Sequence, residues 1–295
     1  MKIVRLVGRL GNQMFIYAFA KALEYYTGDE VFFDSFAYTP DSRDSLQLDK
    51  VFDIDVNIIP YNKIPLKYKE FKNVKFIASH KKIFKLLLNL KNKNIITEKQ
   101  RNIFQPDLFD IQKDAYYFGY FQCEHYFKPI EAEIRKAFTF RPIENPSLIK
   151  KRKEIEQYEC PIFINVRRGD YVSLKENNVV DWLCDMSYYR KATNLMKEKF
   201  PNCTFIAVSD EPDWLVDNLK IDYPFKIYSS NTPYMDIYLL QACKHGICAN
   251  SSYSWWAAWL IENKDKVIIA PEPWFEVGRK SDIIPDEWIK IPRLG

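Results

Sequence analysis

Residues 160–172 read Cys-Pro-Ile-Phe-Ile-Asn-Val-Arg-Arg-Gly-Asp-Tyr-Val. Ile162, Phe163, Ile164 and Val166 have the character of a short buried strand, and that strand runs straight into Arg167, Arg168, Gly169 and Asp170. Gly169 allows a sharp backbone turn. Two adjacent guanidiniums are costly to bury without an anion, and the planar donor fork of Arg fits a phosphate or carboxylate. In an open α/β sheet, ligands bind at the carboxyl ends of strands. The chemistry is then a phosphate clamp, with Asp170 orienting one arginine. The alternative is an Arg–Asp ion pair at a solvated strand end, which does no chemistry and adds little stability.

A second anion-seeking stretch is Asn250-Ser251-Ser252-Tyr253-Ser254, between an expected strand at Ile247–Ala249 and an expected helix at Trp255–Glu262. Backbone N–H groups and hydroxyls converge at such a helix start; the alternative is that Ser252 or Ser254 only caps the helix. Two such loops following strands of one sheet fit a diphosphate. Asp210 ends another expected strand, Thr204–Val208, where it could read a ribose hydroxyl or a base N–H, or cap the helix after it. Near the amino end, Gly8-Arg9-Leu10-Gly11-Asn12-Gln13 joins an expected strand at 3–7 to a helix. This loop is neither G-x-G-x-x-G nor a P-loop, because it lacks the P-loop Lys. By itself it also reads as a tight strand-to-helix turn.

The elements that must position these loops alternate. In the helix after Gly8-Asn12, Met14, Phe15, Ala18, Ala22 and Tyr25 can line one face; Gly28 stops it and Val31–Asp34 is the next strand. The aromatic run Tyr116–Phe121 reads as a strand ending in Gln122, Glu124 and His125, a mixture that suits a carbohydrate face or a core. Residues 129–140 read as a helix, and Arg141–Glu159, rich in Pro, Asn and charge, as the domain linker. Further on come a helix at 187–199 capped by Ser187, a short helix at Trp214–Asn218, a strand at Phe225–Tyr228, a helix at Asp236–His245 capped by Gly246, and a last clear strand at Val267–Ala270. Strands at this spacing with intervening helices imply an α/β fold with parallel sheets.

Composition narrows the function classes. A hydrophobic fraction of 47% over 295 residues is that of a globular chain with room for two domains. The net charge of +4 suits an anionic ligand or a membrane surface and does not argue for nucleic acid. Six cysteines with no C-x-x-C pair, and three histidines, argue against zinc and for reduced thiols in the cytoplasm. The start lacks the apolar run of a signal peptide, and no apolar stretch approaches about 20 residues. Residues 67–101 carry eleven basic and two acidic residues, with Ile83, Leu86, Leu87 and Leu90 at helical spacing. They form either an ordinary amphipathic helix with a solvated lysine face or a peripheral contact with an anionic membrane.

Four segments, taken in order, resemble the α-1,2-fucosyltransferases of bacteria: residues 8–15 (Gly-Arg-Leu-Gly-Asn-Gln-Met-Phe), 119–122 (Gly-Tyr-Phe-Gln), 166–171 (Val-Arg-Arg-Gly-Asp-Tyr) and 250–260 (Asn-Ser-Ser-Tyr-Ser-Trp-Trp-Ala-Ala-Trp-Leu). The similarity spans nearly the whole chain. It implies two Rossmann-like domains facing a cleft, the GT-B arrangement, with residues 1–150 mainly on the acceptor side and 151–295 holding the donor, GDP-fucose. It implies inverting transfer without a metal or other cofactor. By this resemblance Arg167 holds the β-phosphate and stabilises the departing diphosphate, while Arg168 and Asp170 shape the clamp. Asn165, Asp210 and the Asn250, Ser251, Ser252, Tyr253 and Ser254 loop complete the donor site. Gly8, Arg9, Leu10, Gly11 and Asn12 meet the donor from the first domain.

One departure stands out: Asn165 occupies the position where the family usually has His. Asn can donate and accept hydrogen bonds but carries no proton charge, which argues against a base at this position. Breaking the sugar–phosphate bond puts charge on the diphosphate, and without a divalent ion fixed Arg and backbone donors must stabilise it. Asp53-Ile54-Asp55 has metal-loop spacing but reads as a surface turn. Asp34 and Glu124 are candidate general bases, with structural or acceptor-binding roles as the alternative, and Gln122 is a candidate acceptor contact. The expected reaction moves L-fucose to the 2-hydroxyl of a β-galactoside on a surface glycan or lipid-linked oligosaccharide, in the cytoplasm or at the inner membrane face. Alternatives are another acceptor or linkage, or a binding protein for nucleotide sugar or glycan without turnover.

Overall fold

The computed structural model describes residues 1–38, 44–65, 68, 94–111, 113–176, 182–230, 232 and 234–295. The chain divides into two compact units, Met1–Thr139 and Phe140–Gly295. The division comes ahead of the stretch expected as a linker. Much of that stretch is a helix, Pro146–Glu156, because Asn145 accepts the N–H groups of Ser147 and Leu148 and Pro146 sits at the first helical position.

In the first unit the strands are β1 (Lys2–Arg5), β2 (Val31–Asp34), β3 (Ile95–Thr97) and β4 (Ala115–Phe118), in the order β2-β1-β4-β3. All pairs are parallel. The helix Leu10–Thr27 follows β1 and ends where Gly28 enters the left-handed region at φ 68° and donates its N–H to the Glu24 carbonyl. Met14, Phe15, Ala18 and Ala22 are buried as expected, but Tyr25 is 58% exposed. The core takes Phe19 in its place, stacked on Phe121 with ring centroids 3.8 Å apart. The sequence gives no signal of β3, which has only three residues and lies within the lysine-rich stretch 67–101. The amphipathic helix expected around Ile83–Leu90 lies outside the described residues.

In the second unit the strands are β5 (Cys160–Val166), β6 (Cys203–Ser209), β7 (Phe225–Ile227), β8 (His245–Ile247), β9 (Ile268–Glu272) and β10 (Ile289–Pro292). The order is β10-β9-β8-β5-β6-β7, again all parallel. Renumbered within the unit, this is the 3-2-1-4-5-6 order of a doubly wound dinucleotide-binding sheet. Ile162, Ile164, Tyr188, Tyr189, Phe205, Ile247 and Ile269 form its core.

Several local expectations change here. The helix Met186–Lys199 is capped by Asp185, which accepts the Tyr188 N–H at 3.0 Å, and Ser187 instead donates its hydroxyl to the same carboxylate. The helix expected to reach His245 stops at Leu240. Gly246 is not a cap but lies inside β8, where an added Cβ would sit 2.3 Å from the Phe163 ring. β10 follows the strand that reads as the last clear one; it is short and ends in Pro292, as suits a sheet edge.

His245 opens β8 rather than closing a helix. Its Nδ1 accepts the Val267 N–H at 2.9 Å and its ring stacks on Phe200 at 3.9 Å. Burial, and secondarily the Lys244 charge, lower its pKa below the ordinary histidine value. The unfolded chain therefore takes up a proton first on acidification. His245 contributes stability above its unfolded pKa of about 6.5, and this is lost as pH falls toward the folded value. His245→Asn keeps an acceptor without the titration. Its melting temperature should fall less than that of the wild type between pH 7 and 5, as followed by circular dichroism; parallel losses would rule this role out.

Candidate functional site

The second sheet reverses its winding direction between β5 and β8, and ligands bind outside the carboxyl ends of strands at such a switch point. The two loops leaving those strands are the Arg167–Asp170 and Asn250–Ser254 segments. They are joined by Tyr171, whose hydroxyl donates to the Asn250 carbonyl at 3.1 Å. Burial pushes the Tyr171 phenol up to about 12, against the lowering effect of Arg167, so the hydroxyl stays a donor.

Arg167 is gripped from two sides. One terminal nitrogen donates to Asp170 and the other pairs with Asp210 at 2.8 Å. Burial opposes its charge, but the Asp210 and Asp170 carboxylates outweigh that and raise its pKa. The Arg167 side chain remains 21% exposed. Arg168 pairs through Nε with Glu211 at 2.8 Å, and its guanidinium lies 3.8 Å over the Trp214 ring. Two guanidiniums thus meet three carboxylates, Asp170, Asp210 and Glu211. Each guanidinium is thereby held in a fixed orientation by carboxylates.

Asp210 reads differently from the expectation. Its Oδ1 accepts the Arg168 N–H at 2.9 Å and its Oδ2 holds Arg167. The following helix, Pro212–Asn218, has Glu211 at its cap position and no cap bond. Asp210 therefore shapes the arginine loop from below. It lies so close that a Cβ on Gly169, which sits at φ +20°, would be 2.4 Å from Asp210 Oδ2. The expected loop is itself helical from this point, Gly169–Glu176, so Asp170 stands in a first helical turn.

In the other loop the helix begins earlier than expected, at Ser252, with Ser251 as cap residue and no side-chain cap bond. The capping expected of Ser252 or Ser254 is therefore not what starts this helix. Ser254 is fully buried and its hydroxyl accepts the Ala249 N–H at 3.2 Å. The Tyr253 hydroxyl accepts the Ile237 N–H at 2.5 Å. Asn250 is buried, donates from Nδ2 to the Trp274 carbonyl at 3.0 Å and accepts from the Cys184 thiol. These three build the loop, and Ser251 and Ser252 start its helix. Asn165 is buried and donates to the Val208 carbonyl at 3.4 Å.

Sequence reasoning missed Arg293. It is 2% exposed, and its guanidinium donates to the carbonyls of Leu183, Pro273 and Phe275 at 3.1, 3.2 and 3.4 Å. It ties down the segment around Trp274, on which Asn250 rests. A lone arginine near the carboxyl end gives no signal of this. Asp236 was expected only as a first-turn residue. It is buried, accepts the Ser230 N–H at 2.6 Å, and burial raises its carboxyl pKa.

In the first unit Gly8–Asn12 follows the carboxyl end of β1, and Gly119–Gln122 follows that of its parallel neighbour β4. Gly8 has φ +74°, and a Cβ there would meet Asn12. Arg9 pairs with Asp44 at 3.3 Å, and the Leu10 N–H donates to Gln47. Leu10 and Gly11 are buried. Gln122 donates from Nε2 to Asn12 Oδ1 at 2.9 Å and accepts from Asn102, so its amide is committed to neighbours. Asp34 accepts from the Phe36 N–H at 2.8 Å and from the Tyr116 hydroxyl; Glu124 is buried and pairs with Lys128 at 3.2 Å. Among the described residues there is no group of three or more His, Cys, Asp or Glu side chains able to hold a metal, and all six cysteines are free thiols. No helix among them is long and apolar enough to cross a membrane.

A doubly wound sheet is the architecture of many nucleotide-binding proteins, and here an arginine pair stands at its switch point. The chain belongs to glycosyl transferase family 11, whose model matches residues 2–292. It is 29% identical to the α-1,2-colitosyltransferase of Escherichia coli, covering 99% of each chain, and 29% identical to the O-antigen biosynthesis glycosyltransferase WbnK of the same organism, covering 97% of this chain and 99% of that one. A rat galactoside α-(1,2)-fucosyltransferase 2 is 26% identical over 57% of this chain and 50% of its own length. The fucosyltransferase NodZ from Bradyrhizobium shares the fold at a TM-score of 0.53 and 16% identity, over 87% of this chain and 91% of that one.

Proposed function

We propose that this glycosyltransferase moves L-fucose from GDP-β-L-fucose to the 2-hydroxyl of a terminal β-galactoside in a surface glycan or its lipid-linked precursor, with inversion and without a divalent ion. The carrying observation is the switch-point pair of loops, with Arg167 held between Asp170 and Asp210 after one strand and a helix starting at Ser252 after the neighbouring one. The full-length likeness to enzymes of O-antigen assembly supports the acceptor class. The acceptor oxygen bonds to the sugar C1, the C1–O bond to phosphate breaks, and the diphosphate leaves with the electron pair. The acceptor proton goes to a base or to the departing phosphate. Arg167 and the first-turn N–H groups take up the charge that develops on the diphosphate. The proposed setting is the cytoplasm, at or near the inner membrane face.

A second donor is favoured by one observation, the α-1,2-colitosyltransferase relative matched over its whole length. Colitose is L-fucose without its 3-hydroxyl, so discrimination turns on whether a buried group hydrogen-bonds that hydroxyl. A site built to do so rejects the deoxy donor by about 10⁴-fold or more. The test is transfer from GDP-fucose and from GDP-colitose to lactose, with EDTA present. EDTA-resistant product from GDP-fucose, cleaved by an α-1,2-fucosidase, is expected. Product from GDP-colitose alone would move the assignment to the second donor, and loss of product on adding EDTA would end metal independence.

A further inference from the structure

Two non-glycine residues with positive φ stand close together beside β4: Phe121 at φ 50° and Asn102 at φ 65°. Asn tolerates this region, but for a bulky residue such as Phe it is a true outlier. Strain of this kind persists only where the surroundings enforce it, most often at functional sites. Here the enforcing group is Glu98. Its carboxylate accepts the Tyr120 N–H at 2.7 Å and the Asn102 N–H at 3.4 Å. It approaches so closely that a Cβ on Gly119 would be 2.7 Å from its Oε2. The Phe121 ring, fully buried, is locked against Phe19 and Tyr126.

The strained turn delivers one thing. Asn102 Nδ2 donates to Gln122 Oε1 at 2.6 Å, and Gln122 Nε2 donates to Asn12 Oδ1 at 2.9 Å. Asn102 and Gln122 are 1% and 5% exposed, so the contact between them is made away from water, where it is strong and costly to break, while the Gln122–Asn12 contact is partly buried. Asn12 lies against Gly8, where an added Cβ would be 2.5 Å from Asn12 Nδ2. On its other side the same turn is tied by Gln13 Nε2 and the Tyr38 hydroxyl, both donating to the Gly8 carbonyl, at 2.8 and 2.9 Å. Gly8–Asn12 follows the carboxyl end of β1, the end of the strands at which an open α/β sheet meets its ligand.

We propose that Asn102, Gln122 and Asn12 form a side-chain relay, seated on Glu98, that positions the Gly8–Asn12 turn for substrate. Glu98, Asn102 and Gln122 are positioning residues; none need touch the reacting atoms. The proposal rests on the reading of the chain as a sugar transferase in which the carboxyl ends of the first-unit strands face substrate.

Two variants test it. Gln122→Glu keeps size but removes the donor to Asn12. Asn102→Gly keeps the positive φ but removes the side chain. Three readouts are needed: kcat and KM for GDP-fucose and lactose, hydrogen exchange of the Leu10–Gln13 amides, and the melting temperature. Both variants should exchange these amides about tenfold faster and lose tenfold or more in kcat/KM, with the melting temperature within a few degrees of wild type. Unchanged exchange in both variants overturns the relay whatever the activity. Faster exchange with unchanged kinetics overturns its positioning role and leaves a structural one. A wild type inactive on lactose, with variants that still loosen the turn, counts against the proposed reaction and leaves the relay standing.

Discussion

Arg167→Ala is expected to lower kcat for sugar transfer by about 10²- to 10³-fold, the size of loss seen when one oriented donor to a developing oxyanion is removed. The fold should survive, because the Arg167, Asp170 and Asp210 side chains are all partly exposed and such ion pairs add little stability. The geometry makes a further distinction. Asp170 and Asp210 take different nitrogens of the same guanidinium. Only a planar fork can be held from both sides and still direct N–H groups outward. Arg167→Lys supplies the charge but not the fork, so it should recover less than a tenth of the lost rate. The measurement is steady-state transfer with GDP binding by calorimetry alongside. Arg167→Ala turning over within threefold of wild type would remove Arg167 from the clamp.

Arg293→Met is expected to destabilise the protein by about 3–5 kcal/mol, as follows when one partner of a buried polar set is removed and the others are left unsatisfied. Three carbonyls, of Leu183, Pro273 and Phe275, converge on this guanidinium, and the side chain is closed to solvent. The residue's own backbone is also committed, since its N–H donates to the Glu272 carbonyl and its carbonyl accepts from Asp185. The consequence should reach the site, because Asn250 is anchored on the Trp274 carbonyl within the segment that Arg293 secures. A lower denaturant midpoint with unchanged m-value, together with weaker GDP binding, is the expected result. A loss below about 1 kcal/mol would mean that water replaces the guanidinium at little cost.

The relay and the arginine clamp have the same construction. In each, a carboxylate that touches a glycine-dependent turn from beneath sets the backbone: Asp210 under Gly169 and Glu98 under Gly119. In each, that turn leaves the carboxyl end of a central strand. Neither carboxylate is adjacent in sequence to the turn it supports.

This contrast marks where reading the chain stops. Val31–Asp34, the stop at Gly28, the alternation of strands and helices, and the position of both anion-seeking loops are legible in the residues, because apolar periodicity and a left-handed glycine are local properties. The arginine loop could be placed at a strand end for the same reason. Its partners could not. Asp210 could face a ribose or cap a helix until the parallel register of Val166 against Ser209 brought it beside Arg167 and Arg168. Ser254 and Gln122 carry the polar atoms of binding residues, yet burial commits them to Ala249 and to Asn12 and Asn102. Gly246 looks like a helix cap by its neighbours and is a strand residue by the demand of the Phe163 ring. Residue type and spacing pointed to the family and to the strand ends that the arginine and serine loops follow. Which side chains hold the loops in place was decided by the tertiary structure, because burial and hydrogen-bond satisfaction depend on contacts between residues far apart in sequence.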